Sequence, residues 1–133
     1  ASWAAAETAA NDRFHWHGEV PSTTIRRVYA SSRLLVNTSQ IEGGANVISE
    51  AVMAGLPILA ADIDGNVGVL GERYPGYFPV GNAVALRDRL SELATTPALL
   101  ESLTTAVEAL QPRFTEAAER AAWAALLAGL DVT

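Results

Sequence analysis

Apolar positions along this chain fall into short strand-like runs separated by helical stretches. Residues 34–36 and 57–61 are continuous apolar runs, typical of strands that are buried on both faces of a parallel sheet. Residues 14–17 alternate between apolar and polar side chains, which predicts a further strand. Because helical patterns separate these runs, the sequence predicts an α/β fold with a Rossmann-like parallel sheet and flanking helices.

The helices of the first half can be placed from their end signals. Residues 1–10 are rich in alanine and favour a helix. Ser22 is a residue type that caps helices, and a helical pattern follows it. A further helix runs to about Ala54, where Gly55 suits the position after a helix end and Pro57 prevents continuation.

The second half combines one long loop with three helices. Residues 62–79 contain four glycines and two prolines, which predicts a loop with about one helical turn near residues 67–70. Tyr74, Tyr77 and Phe78 in this loop either face a bound substrate or anchor the loop. Cap residues and helical periodicity then predict three helices, at residues 84–95 after Asn82, 97–110 after Thr96, and 115–130.

Composition restricts the possible functions. At 133 residues the chain has the length of one domain, and with 50% apolar and 18% charged residues it is not a disordered tail. The absence of cysteine excludes disulfides, thiolate catalysis and cysteine-ligated zinc. A net charge of −6 without a basic stripe argues against a nucleic-acid partner. No apolar run is long enough to span a membrane, and the default expectation is a cytoplasmic protein.

The most informative segment is a glycine-rich turn between a buried strand and a helix. It comprises Glu42, Gly43, Gly44, Ala45 and Asn46. Glycines let backbone N–H groups approach a ligand closely, and the first turn of a helix adds unpaired N–H groups and the positive end of the helix dipole. Such a turn at the carboxyl end of a parallel strand predicts a site for a phosphate or diphosphate.

Two carboxylates bracket this predicted anion site. Glu42 precedes the glycines. Glu50 lies on the flank of the helix face that turns towards the sheet, which consists of Val47, Ile48, Ala51 and Val52. A carboxylate beside an anion accepts hydrogen bonds from hydroxyl groups more readily than it holds a second anion. A ligand in which a diphosphate joins two hydroxyl-bearing rings, a ribose and a sugar, is a nucleotide sugar. The alternative is that the glycines serve packing and that Glu50 is an ordinary solvated surface residue.

The spacing E-x7-E, followed by Ala-Gly-Leu-Pro at residues 54–57, resembles the C-terminal, donor-binding half of the retaining GT-B glycosyltransferases of family 4. The resemblance covers nearly the whole chain. It implies that Glu42 contacts the donor sugar as the catalytic-site carboxylate, and that the backbone of Gly43, Gly44, Ala45 and Asn46 receives the diphosphate. It also implies that Glu50 holds the ribose hydroxyls and that the backbone around Val20 lies near the base. Asn46 is also a candidate helix cap.

A narrower resemblance is to the selenosugar synthases of selenoneine biosynthesis. It rests on residues 37–39 and 42–51 together with residues 63–68 and 76–81. It implies UDP-N-acetylglucosamine as the donor and selenophosphate as the acceptor. No cofactor is expected, and no metal is implied. A general hexosyltransferase and a non-catalytic phosphate-binding or interaction module remain the alternatives.

The resemblance also implies parts outside this sequence. The family has an N-terminal acceptor domain and a basic pair that neutralises the diphosphate, and neither is found here, so residues 1–133 are expected to be a single nucleotide-sugar-binding domain from a longer enzyme and inactive alone. Asp64 and Asn66 are a turn signal that lines the cleft if the fold brings it there. Trp3, Trp16 and Trp123 are expected in the core. The last helix packs on the core, turns to the partner domain, or makes a homodimer contact.

Overall fold

The computed structural model describes residues 2–41 and 46–130 and has a Rossmann-like α/β architecture. A three-stranded parallel sheet has the order β1-β2-β3, with β1 at Leu35–Asn37, β2 at Ile58–Ala61 and β3 at Tyr77–Phe78. Leu35 is opposite Ile58, and Ala61 is opposite Phe78. The predicted fold class and the strands at 34–36 and 57–61 are confirmed.

Seven α-helices surround the sheet in the described part of the chain. They are α1 at Ser2–Ala10, α2 at Ser22–Ser31, α3 at Asn46–Met53, α4 at Asp64–Leu70, α5 at Ala83–Thr95, α6 at Pro97–Leu110 and α7 at Glu116–Ala128, and a 3₁₀ helix at Gln111–Phe114 joins the last two.

Several predicted helix signals are confirmed and two are not. Asn82 caps α5 by accepting a hydrogen bond from the Ala85 N–H, and Gly55 has a positive φ of 70° just after α3. Ser22 is the first helical residue instead of the cap, because Pro21 occupies the cap position. Thr96 stands at the start of α6 but its side chain makes no cap hydrogen bond. These sequence signals therefore place the helix ends to within one residue, but they do not establish which side chain caps each helix.

The strand predicted at residues 14–17 is wrong. The Phe14 N–H donates to the Asn11 carbonyl, and the Trp16 N–H donates to the Thr8 hydroxyl. These backbone groups are therefore tied to the end of α1 and not to a neighbouring strand, and the segment has no regular structure. Alternation of side chains predicts a strand only where a sheet edge accepts it.

The core lies where β2 meets α3 and α6. All four residues of β2 are buried, and the fully buried large side chains of this core are Ile48, Val52, Ile58, Leu59, Leu103 and Val107. The three tryptophans are not part of it. Trp3, Trp16 and Trp123 are 69%, 46% and 58% exposed, so their predicted core positions are wrong.

The predicted loop at 62–79 is largely ordered by two tyrosines. It contains α4 and β3. The buried Tyr74 hydroxyl donates to the Ile58 carbonyl at 2.7 Å and accepts from the Ile58 N–H at 3.1 Å. Tyr77 donates to the Gly71 carbonyl at 2.8 Å and packs edge-on against Tyr74. Of the two roles considered for these aromatics, anchoring of the loop is the one that the contacts show.

Candidate functional site

Helix α3 presents the predicted carboxylate on the flank of a buried face. Ile48, Ala51 and Val52 of α3 are buried, which confirms the face that helical periodicity assigned to the sheet. Glu50 lies beside this face and is exposed, and Asn46 is the first, exposed residue of the helix. The local sequence therefore holds the backbone of α3 rigidly and leaves Glu50 available to a ligand.

Glu50 has one hydrogen-bond partner among the described residues. The Tyr29 hydroxyl, on α2, donates to Glu50 Oε2 at 3.3 Å. Burial raises the pKa of Tyr29, and the nearby Glu50 carboxylate raises it further. The phenol therefore keeps its proton at neutral pH and acts as the donor.

A cavity of about 510 Å³ opens beside this pair. Tyr29 and Glu50 line it together with Arg26 from α2, Met53 from α3 and Phe114 from the 3₁₀ helix. The volume is in the range of cavities that hold small organic ligands. A mainly apolar wall with one carboxylate and one guanidinium suits a ligand that has both a flat apolar part and hydroxyl groups.

Val20 lines a neighbouring cavity that shares Tyr29 with the cavity beside Glu50. This second cavity, of about 250 Å³, is lined by Val20, His17, Ile25 and Tyr29 among others. Because Tyr29 belongs to both walls, the fold brings the predicted base-contacting segment and Glu50 close to the same tyrosine.

A polar pair at the carboxyl end of the sheet was not predicted. Asn37 ends β1 and Asn66 lies in α4, and both are buried. The Asn66 side-chain amide donates to the Asn37 side-chain oxygen at 3.3 Å and to the Ala61 carbonyl at 2.9 Å. The Asn66 Oδ1 atom has no partner in the described ranges. The only signal in the sequence is an asparagine at the end of an apolar strand, and a turn was the simpler interpretation of Asn66.

The loops at this end of the sheet form a separate cavity. Its volume is about 430 Å³, and Gln40, Ile41, Ile63, Asp64 and Gly65 line it. The Asp-Gly turn that was a candidate for the cleft therefore does line a hollow at the carboxyl ends of the strands. Among the residues that the structure describes, none lines both that hollow and the cavity beside Glu50.

The remaining predicted site residues cannot be placed. Glu42, Gly43, Gly44 and Ala45 lie outside the described residues. Within residues 2–41 and 46–130 no cluster of three or more metal-ligating side chains occurs. In the same ranges, every helix is too short or too polar to cross a bilayer.

A comparison with protein families decides the identity of this fold. The family model for Glycosyl transferases group 1 matches residues 3–109. The chain belongs to this glycosyltransferase family. The matched region of the glycosyltransferase domain runs from α1 into α6 and includes Val20, Tyr29 and Glu50. A search of curated proteins finds no match to the chain.

The family confirms the coarser part of the resemblance seen in the sequence. A glycosyltransferase of this group transfers a sugar, and the domain carries a carboxylate beside a cavity of ligand size. Helix α7 lies beyond the matched residues.

Proposed function

We propose that this glycosyltransferase domain binds a nucleotide-diphosphate sugar, the donor in glycosyl transfer. The observation that carries the proposal is the Glu50 carboxylate, which lies on the wall of the cavity of about 510 Å³ and is held by the Tyr29 hydroxyl. In this proposal Glu50 accepts hydrogen bonds from the ribose hydroxyls. The mainly apolar wall contributed by Met53 and Phe114 suits the rest of the nucleoside.

The diphosphate is assigned to the segment that precedes α3. Gly43, Gly44, Ala45 and Asn46 lead directly into this helix, whose first turn contains no acidic residue. The positive end of the helix dipole is therefore not neutralised from within the helix, which favours an anion there. Glu42 precedes the glycines and is assigned to the donor sugar. The backbone around Val20 is assigned to the base.

Chemistry at this site rests on positioning and on charge stabilisation. The bond between sugar C1 and the diphosphate oxygen breaks, and the nucleoside diphosphate leaves with the electron pair. Donors around the diphosphate stabilise this developing charge, and a fixed acceptor at C1 completes the transfer.

The resemblance to selenosugar synthases suggests the finer assignment. The donor is then UDP-N-acetylglucosamine and the acceptor is selenophosphate, whose selenium forms the new bond to C1. A general hexosyltransferase that builds a glycolipid or polysaccharide differs only in the acceptor. Assays of the full-length protein with selenophosphate and with sugar acceptors separate these two assignments.

Calorimetric titration with UDP and UDP-N-acetylglucosamine tests the donor site. We expect binding to the parent protein and about tenfold or more weaker binding to a Glu50→Ala variant, because each charge-assisted hydrogen bond contributes about 1.5–3 kcal/mol. Glu101→Ala is the matched control, because Glu101 is also an exposed helical glutamate but lies on α6, outside this cavity. Equal affinity of the parent and Glu50→Ala proteins, or no binding by the folded parent, would refute the donor site and favour a non-catalytic interaction module.

A further inference from the structure

Tyr29 belongs to the core, yet its hydroxyl reaches the exposed side of α3. The residue is only 7% exposed, and its ring packs with the central cluster of buried side chains. The hydroxyl leaves this cluster to donate to Glu50 Oε2 at 3.3 Å. Because the ring is held by packing, the position of the hydroxyl is fixed before any ligand arrives.

Glu50, in contrast, is not part of the buried cluster. It is exposed, and a free glutamate side chain loses rotamer entropy worth up to about 1.5–2 kcal/mol when it is held in one geometry. No ion pair within the described residues involves Glu50, although Arg26 lines the same cavity. Tyr29 is therefore the group that orients this carboxylate.

The hydrogen bond from Tyr29 leaves lone pairs on the Glu50 carboxylate that can accept further hydrogen bonds. A carboxylate has about four lone-pair positions on its two oxygens, and the Tyr29 hydroxyl uses one of them. Because burial raises the pKa of Tyr29, its hydroxyl stays protonated and donates the hydrogen bond. The Oε1 atom and the unused positions of Oε2 are then free to accept two adjacent hydroxyl groups.

We propose that Tyr29 is a positioning residue of the donor site, whose hydroxyl holds the Glu50 carboxylate in the orientation that accepts the ribose hydroxyls of the donor nucleotide. This inference rests on the proposed function. It adds that recognition of the ribose depends on a residue that acts through the Glu50 carboxylate. It assigns to Tyr29 a role separate from its contribution to the core.

Comparison of ribose with deoxyribose tests this role. Calorimetry measures the affinity for UDP, GDP and ADP and, for each one that binds, for its 2′-deoxy counterpart. We expect the parent protein to prefer the ribonucleotide and Glu50→Ala to lose this preference. In Tyr29→Phe we expect about 3- to 10-fold weaker ribonucleotide binding, which corresponds to one hydrogen bond of about 0.5–1.5 kcal/mol, and a smaller change for the deoxynucleotide.

Two further variants separate positioning from a structural effect. Glu50→Asp retains the charge but shortens the side chain away from Tyr29, and we expect it also to reduce the preference for ribose. Combined with Glu50→Ala, Tyr29→Phe should have no additional effect. Tyr77→Phe is the control, because its hydroxyl bonds to the Gly71 carbonyl, and it should leave the preference unchanged.

The outcomes distinguish this inference from the donor site itself. If Tyr29→Phe weakens ribonucleotide and deoxynucleotide equally, or acts as strongly when Glu50 is alanine, Tyr29 is structural only and the inference is wrong. If Glu50→Ala leaves nucleotide affinity and the preference for ribose unchanged, or if no nucleotide binds, the proposed function fails, and the inference fails with it.

Discussion

The sheet around β2 and the C-terminal helix α7 use similar apolar residues with opposite results. Every residue of β2 is buried, whereas no residue of α7 is, and Leu126 and Leu127 are 56% and 61% exposed. The family match covers the first region and ends at residue 109, before the second begins. Hydrophobicity alone therefore does not determine burial in this chain, because burial also requires an adjacent element to pack against.

The two regions also differ in how their polar groups are satisfied. Around β2, tertiary contacts do this work, since Ala60 donates to the Gly76 carbonyl and Tyr74 bonds to both backbone groups of Ile58. In α7 the partners are local. The Thr115 side chain accepts from the Ala118 N–H, and Arg120 pairs with Glu116 one turn away. The sheet should therefore be sensitive to single substitutions and α7 insensitive.

Gly76→Ala should give the largest effect. A Cβ at this position would collide with the Ile58 carbonyl oxygen and the Tyr74 ring, neither of which can move without breaking their hydrogen bond. We expect a loss of about 3 kcal/mol in the free energy of unfolding, measured by urea denaturation. Gly68→Ala is the control. Apart from its chain neighbours and its own helix backbone, no atom of the described residues lies within 4 Å of the added Cβ, and alanine favours the helix, so the variant should be more stable by about 0.5–1 kcal/mol. Equal effects of the two would contradict the close approach at Gly76.

Tyr74→Phe should have the next largest effect. The Tyr74 hydroxyl satisfies both backbone groups of Ile58 on the side of β2 that faces β3. Two residues later on the same side, the Ala60 N–H donates to the Gly76 carbonyl. Loss of the Tyr74 hydroxyl leaves a buried N–H and a buried carbonyl unpaired, which should cost about 2 kcal/mol. Urea denaturation of this variant and of Tyr77→Phe, which releases only the part-buried Gly71 carbonyl, makes the comparison. If Tyr77→Phe lowers the free energy of unfolding as much as Tyr74→Phe does, the two hydrogen bonds between Tyr74 and Ile58 contribute no more than the single bond of Tyr77.

The fold could be predicted where the signal is local. Helix α6 runs over Pro97–Leu110 as predicted, because proline fixes its start and the apolar periodicity continues to its end. The apolar runs of β1 and β2 also locate the strands. In contrast, β3 has only two residues and could not be recognised as a strand, since its existence depends on Tyr74 and Gly76 reaching β2.

The candidate site divides in the same way. Periodicity placed Glu50 on the flank of α3, because the buried face of a helix follows from its own residues. The hydrogen bonds of Tyr29 and Asn66 were not predicted, because each residue finds its partner 21 or 29 residues away, on another element. Sequence reasoning therefore predicts which residue a helix exposes beside its buried face more readily than which residue holds that side chain in place.

Leu127→Ala should give the smallest effect and so tests the exposed side of the comparison. Leucine and alanine both favour helices, and the side chain at this position is mostly exposed. We expect a change within about 0.5 kcal/mol in the free energy of unfolding, against a loss of about 2–5 kcal/mol for Leu103→Ala in the core, both from urea denaturation.

Leu103→Ala is the matched control, because both variants remove the same atoms from a leucine in a helix. Leu103 on α6 is fully buried, whereas Leu127 on α7 faces outwards, so the difference between their costs measures the effect of the packing partner alone. If Leu127→Ala destabilises the protein as much as Leu103→Ala does, the outer face of α7 is covered in solution. Sedimentation velocity of the parent and Leu127→Ala proteins then shows whether a second copy covers it, because only a homodimer would dissociate in the variant.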